Sequence, residues 1–102
     1  MYLTIREYQA NPNSVEQILR EDEKSFVPAI TKAEGFREYY CIAGGNGTLT
    51  SVSLFATLSD GEKFNQIAQD WVLQTLGSHL PTAPKVMSGE VRIHASGNVA
   101  LS

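Results

Sequence analysis

Trp71 and His79 lie eight residues apart in SDGEKFNQIAQDWVLQTLGSHL, and Phe64 precedes Trp71 by seven on the same apolar stripe. Eight residues span roughly 12 Å along a helix axis. This set suits an apolar wall with a proton acceptor near one end. An indole stacks on an aromatic ligand, and an imidazole titrates near neutrality. The same residues also make ordinary structure, since a Trp on a buried helix face packs and a His at a helix end caps. Both readings stay open. Glu90, Arg92 and His94 alternate along a later segment, and Arg6 in an early one can join them. They read either as a polar constellation around a lumen or as a network that sets the register of two chains. Cys41 is the single cysteine and has no sequence neighbour that would activate its thiol.

Other chemistries lack their motifs. There is no HExxH, no cysteine pair, no Ser/His/Asp order and no paired carboxylates, so neither a metal nor hydrolytic chemistry is expected. Gly44-Gly45-Asn46-Gly47 falls between two strand-like segments and opens no helix, which makes it a hairpin turn rather than a phosphate cradle. A net charge of −3, with eight scattered Lys and Arg, argues against nucleic acid. No apolar run approaches the roughly 20 residues that span a bilayer. The opening MYLTIREYQ has no leader pattern, so the expected location is cytoplasmic.

The elements that must position these side chains follow from periodicity. Residues 2–9 alternate as a strand. Residues 13–34 keep a helical stripe of Val15, Ile18, Leu19, Phe26 and Ile30, with the run Arg20 to Lys24 as a solvated face. Pro28 should kink this helix near Phe26, and Gly35 should end it. Strands follow over 36–43 and 48–58. The main helix runs from Ser59, capped reciprocally with Glu62, to Leu80. A last strand covers 85–95. Residues 1–95 form one domain, and 96–102 a flexible tail.

Strand, helix, strand, strand, helix, strand is the ferredoxin-like βαββαβ order of an α+β protein, with a four-stranded antiparallel sheet and both helices on one face. The third strand should lie between the first and second, and the first should also pair with the fourth. Parity predicts that Leu3, Ile5, Val52, Leu54, Ala56, Val91 and Ile93 meet the helices. Arg6, Tyr8, Ser53, Phe55, Glu90, Arg92 and His94 would then occupy the bare face, which a second copy covers to make a homodimer.

With these elements placed, the chain resembles the antibiotic biosynthesis monooxygenase-like superfamily of dimeric α+β barrels. The resemblance rests on Gly35-Phe36 opening the second strand, Ser53-Leu54-Phe55 in the third, Ala68 and Trp71-Val72 in the second helix, Gly89-Glu90-Val91 in the last strand, and Pro28-Ala29-Ile30 in the first helix. It implies two sheets facing each other, helices outside, and a small-molecule cleft between helix and sheet. Its members include cofactor-free oxygenases of aromatic polyketides and haem-degrading enzymes. The latter look for an Asn on the first strand, which this chain lacks. The resemblance implies a cofactor-independent monooxygenase of a small aromatic or quinol-like molecule, with His79 and Trp71 as catalytic residues and Trp71, Phe64 and Tyr8 contacting substrate. The alternative is a non-catalytic dimeric barrel that binds a small ligand or acts as an interaction module.

Overall fold

A computed structural model describes residues 1–80 and 82–97; Pro81 and residues 98–102, which include most of the expected tail, lie outside the described residues. Four antiparallel strands, β1 (Tyr2–Gln9), β2 (Phe36–Gly45), β3 (Thr48–Phe55) and β4 (Lys85–Glu90), form one sheet in the order β2-β3-β1-β4. This is the order expected from the sequence. The β2–β3 hairpin turns at Asn46 and Gly47, whose φ angles of 53° and 83° suit Asn-Gly. The Ala10 N–H donates to the Gly47 carbonyl at 2.8 Å, tying the end of β1 to that turn. β4 stops at Glu90, five residues earlier than expected, and residues 91–97 adopt no regular structure.

The first helical region is segmented. A 3₁₀ turn (Pro12–Ser14) leads into α1 (Val15–Glu21), then a π-helical turn (Asp22–Phe26), then α2 (Val27–Thr31). The Asn11 side chain accepts the Asn13 N–H at 3.0 Å and so caps the 3₁₀ turn that leads into α1. Pro28 has no N–H to give, and the wide turn just before it absorbs the irregularity that proline imposes. Gly35, at φ +76°, lets the chain reverse into β2.

The long helix, α3 (Leu58–Leu76), starts one residue before the expected cap. Thr57, still extended, accepts the Asp60 N–H at 3.1 Å through its hydroxyl. Gly61 places α3 directly on β1, since a Cβ there would stand 2.5 Å from the Tyr2 ring. Phe64 and Ala68 on α3 pack with Phe26 and Ile30 against Phe55. A second cluster joins Ile18, Leu49 and Leu76 with Ala10.

The sheet faces are reversed from the parity expectation. Phe55, at 1% exposure, lies in the helix-side core, and Thr4, Arg6, Ser51 and Ser53 are buried on that same face. Leu3, Ile5, Val52 and Leu54 point away from the helices, beside Tyr40, Ile42 and Met87. A sheet covered on one side only would turn its more apolar parity to the core. Here the helix side lines cavities and so carries polar groups, while the opposite side is itself apolar.

Candidate ligand-binding site

β1 and α3 leave a groove between them that β4 closes on one side, with a volume of about 620 Å³. That size lies within the usual range for small-molecule sites. Arg6 and Tyr8 of β1 form its floor; Asn65, Gln69, Val72 and Leu73 of α3 line one wall, and Pro84 and Val86 the other. Alternation along β1 directs Arg6 and Tyr8 to the helix side, and helical spacing puts Asn65, Gln69, Val72 and Leu73 along one edge of α3.

A chain of hydrogen bonds holds the floor. The Arg6 Nη2 donates to Asn65 Oδ1 at 2.9 Å, Asn65 Nδ2 donates to Thr4 Oγ1 at 3.3 Å, and Thr4 Oγ1 lies 3.0 Å from Ser88 Oγ. Three elements thus fix one guanidinium. Burial pushes the Arg6 pKa down, opposed by the phenols of Tyr8 and Tyr39, yet arginine stays protonated in proteins. Burial raises the Tyr8 phenol to about 12, against the pull of Arg6, so it is a neutral donor and acceptor at physiological pH.

A smaller chamber of about 30 Å³ adjoins the groove and shares Arg6, Tyr8, Val72 and Leu80 with it. Asp22, Tyr39, Cys41, Ser51 and Trp71 line it together with apolar core side chains, and its volume admits one or two waters or the tip of a ligand. The Tyr39 hydroxyl donates to both Asp22 carboxylate oxygens, at 2.9 and 3.0 Å. Burial raises the Asp22 carboxyl above the usual carboxylate range, and the Tyr39 hydrogen bond partly restores it. Burial, then the Asp22 charge, lifts the Cys41 thiol to about 11. This cysteine is a neutral wall group near neutrality.

Of the residues singled out in the sequence, Tyr8 lines both spaces and Trp71 lines the inner one. Trp71 is fixed in place: its ring packs on Phe26 at 5.0 Å, and its Nε1 donates to the Ser25 hydroxyl at 3.1 Å. Phe64, at 3% exposure, stacks with Phe26 and Phe55 in the core and lines neither space. His79 lies past the end of α3 with its Nδ1 3.2 Å from the Ser14 hydroxyl, and it too lines neither space. Glu90, Arg92 and His94 are exposed, the last two beyond β4. Arg6 was placed on the bare face and is instead the groove floor.

Asp22 was missed because it sits in a charged run read as solvated. A signal was available: Ile18, Asp22, Phe26 and Ile30 recur every four residues, which puts one carboxylate in line with three apolar side chains. Among the described residues, no three His, Cys, Asp or Glu converge to hold a metal ion, and no helix is long and apolar enough to cross a membrane.

No family model and no curated protein matches the sequence. Solved structures do match. A protein of unknown function from Nitrosomonas europaea superposes with a TM-score of 0.76 at 16% identity, covering 94% of this chain and 93% of the other. A monooxygenase from the gene ActVA-Orf6 of Streptomyces coelicolor, in complex with nanaomycin D, gives 0.76 at 14% identity over 94% and 91% of the two chains. A variant of MhuD with manganese protoporphyrin IX in its active site gives 0.74 at 13% identity over 95% and 100%. Others of the matching structures are antibiotic biosynthesis monooxygenases. At these identities the likeness establishes the fold: the chain has the ferredoxin-like α+β fold of the antibiotic biosynthesis monooxygenase structures.

Proposed function

We propose that this protein binds a small aromatic, quinol-like molecule in the groove between α3 and the sheet and oxidises it as a cofactor-independent monooxygenase. The observation that carries the reading is the groove itself, walled by apolar and amide side chains over a floor of Arg6 and Tyr8, beside an inner chamber that holds a carboxylate of raised pKa. Two proteins of the same fold carry bound small molecules, which supports a small-molecule ligand here. In the balanced reaction, a phenol with a free para position and O₂ give a quinone and water. The ring carbon is oxidised, one oxygen atom becomes its carbonyl, and the other leaves as water with the two hydrogens lost. The substrate supplies the electrons. The protein contributes a site sheltered from water and a proton acceptor.

Asp22 is the group suited to accept that proton, with Tyr39 as its hydrogen-bonded partner and Tyr8 and Trp71 as walls. Oxygen uptake with a naphthol substrate tests this. Asp22→Asn should lower turnover by roughly 10²-fold or more, the usual contribution of a positioned acid–base group. Turnover unchanged in Asp22→Asn would overturn the assignment. The non-catalytic ligand-binding barrel is favoured by one observation, that His79 bonds Ser14 and not the groove. It predicts binding without oxygen uptake.

The active form we infer is a homodimer joined through the open sheet face. Tyr40, Ile42 and Met87 stand 55%, 59% and 66% exposed there, next to Leu3, Ile5 and Val52. A contiguous apolar sheet face of this kind is normally covered.

A further inference from the structure

We propose that Arg6 anchors an ionised acid group of the ligand, so that the groove takes a flat aromatic molecule bearing one carboxylate in preference to its neutral counterpart. The inference rests on the groove being the ligand site, and it names the class of molecule that fits there. Arg6 is only 7% exposed. Among the described residues its side-chain partner is a neutral amide, Asn65, and the groups that act on its charge are the Tyr8 and Tyr39 phenols, with no carboxylate among them. A charge removed from water and left without an opposite charge is unfavourable, which is why buried charges are normally paired.

The two acids that line these spaces are otherwise placed. Asp22 lines the inner chamber, where its carboxylate accepts the Tyr39 hydroxyl. Glu62 stands exposed at the groove's rim. No buried side-chain nitrogen or oxygen lacks a hydrogen-bond partner among the described residues, so the guanidinium nitrogens that Asn65 leaves free keep some accessible surface, and Arg6 lines both cavities. Nη2 carries a second hydrogen beside the one given to Asn65, and with a neighbouring guanidinium nitrogen it forms a planar fork that matches a carboxylate in two-point contact. The hydrogen-bond chain through Asn65, Thr4 and Ser88 holds that fork in position before any ligand arrives. Val72, Leu73, Pro84 and Val86 then enclose the ligand's apolar body.

The test titrates a hydroxynaphthoic acid and its neutral methyl ester into the protein, following the side-chain amide resonances of Asn65, Gln66 and Gln69. The acid should bind roughly tenfold or more tightly than the ester, the scale of one charge-assisted hydrogen bond. Arg6→Gln should bring the two affinities together. Because Arg6→Gln disturbs a buried site, Asn65→Asp provides a near-isosteric second variant. It places a carboxylate 2.9 Å from the guanidinium and should abolish the preference while the fold persists. Equal binding of acid and ester to the wild type would overturn this inference and leave the groove as the ligand site. A preference that survives Asn65→Asp would also overturn it. If neither probe moves those resonances, the groove reading falls with it.

Discussion

Replacing Ile42 by Asp should separate two paired chains while leaving each chain folded. Ile42 is opposite Thr50 on the face that no helix covers, and it belongs to neither core cluster. Burying an Ile side chain completely contributes about 1.5–3 kcal/mol, so the 59% still exposed leaves about 1–2 kcal/mol per chain for an interface to gain. Two symmetry-related copies lose about 2–4 kcal/mol, a weakening of roughly 30- to 1,000-fold before the desolvation of two carboxylates is added. Sedimentation velocity across a concentration series reads the association, and far-UV circular dichroism with a thermal melt reads the fold. The expected result is a wild-type dimer at micromolar concentration and a folded, monomeric variant. A wild-type monomer would refute the reasoning, as would a variant with unaltered association.

Three further outcomes follow from the same geometry. Phe55→Asp should unfold the chain outright, because it places a carboxylate at 1% exposure among Phe36 and Phe64; a folded monomer by circular dichroism would contradict the face assignment. Gly61→Ala should lower stability by about 1–3 kcal/mol despite alanine's better helix propensity, since its methyl would meet the Tyr2 ring, and Tyr2→Ala should recover most of the loss in a thermal melt. In alkali, Cys41 and Tyr8 have folded pKa values raised to about 11 and 12 from 9.0 and 10.0. Their stabilising effect is full below the unfolded values and is lost as pH climbs through the folded ones, so urea midpoints should fall from about pH 9 upward, and less steeply in Cys41→Ser.

Much of this fold is legible in the residues. Alternation in β1, the Asn46-Gly47 turn and the stripe from Phe64 to Leu76 each lead to the element observed, and the strand order follows from the connection rules. The identity of the core-facing side of the sheet is not legible by the same route. Parity shows that Leu3 and Ile5 oppose Thr4 and Arg6, but nothing local says which set faces the helices when both faces of the sheet carry large side chains. The site goes with the face: Arg6 reads as a surface group because charged residues usually are. The helix start moved from Ser59 to Thr57 for a simpler reason, since either hydroxyl can cap and the chain's exit from β3 at Phe55 decides between them.

Native mass spectrometry of the purified protein with a soluble hydroxynaphthoic acid, repeated with Leu73→Trp to fill the groove, tests the central claim most directly. The account predicts two chains carrying up to two ligand molecules, and a variant that remains a dimer but retains none. Ligand held equally by the filled variant, or no ligand on the wild type, would contradict it.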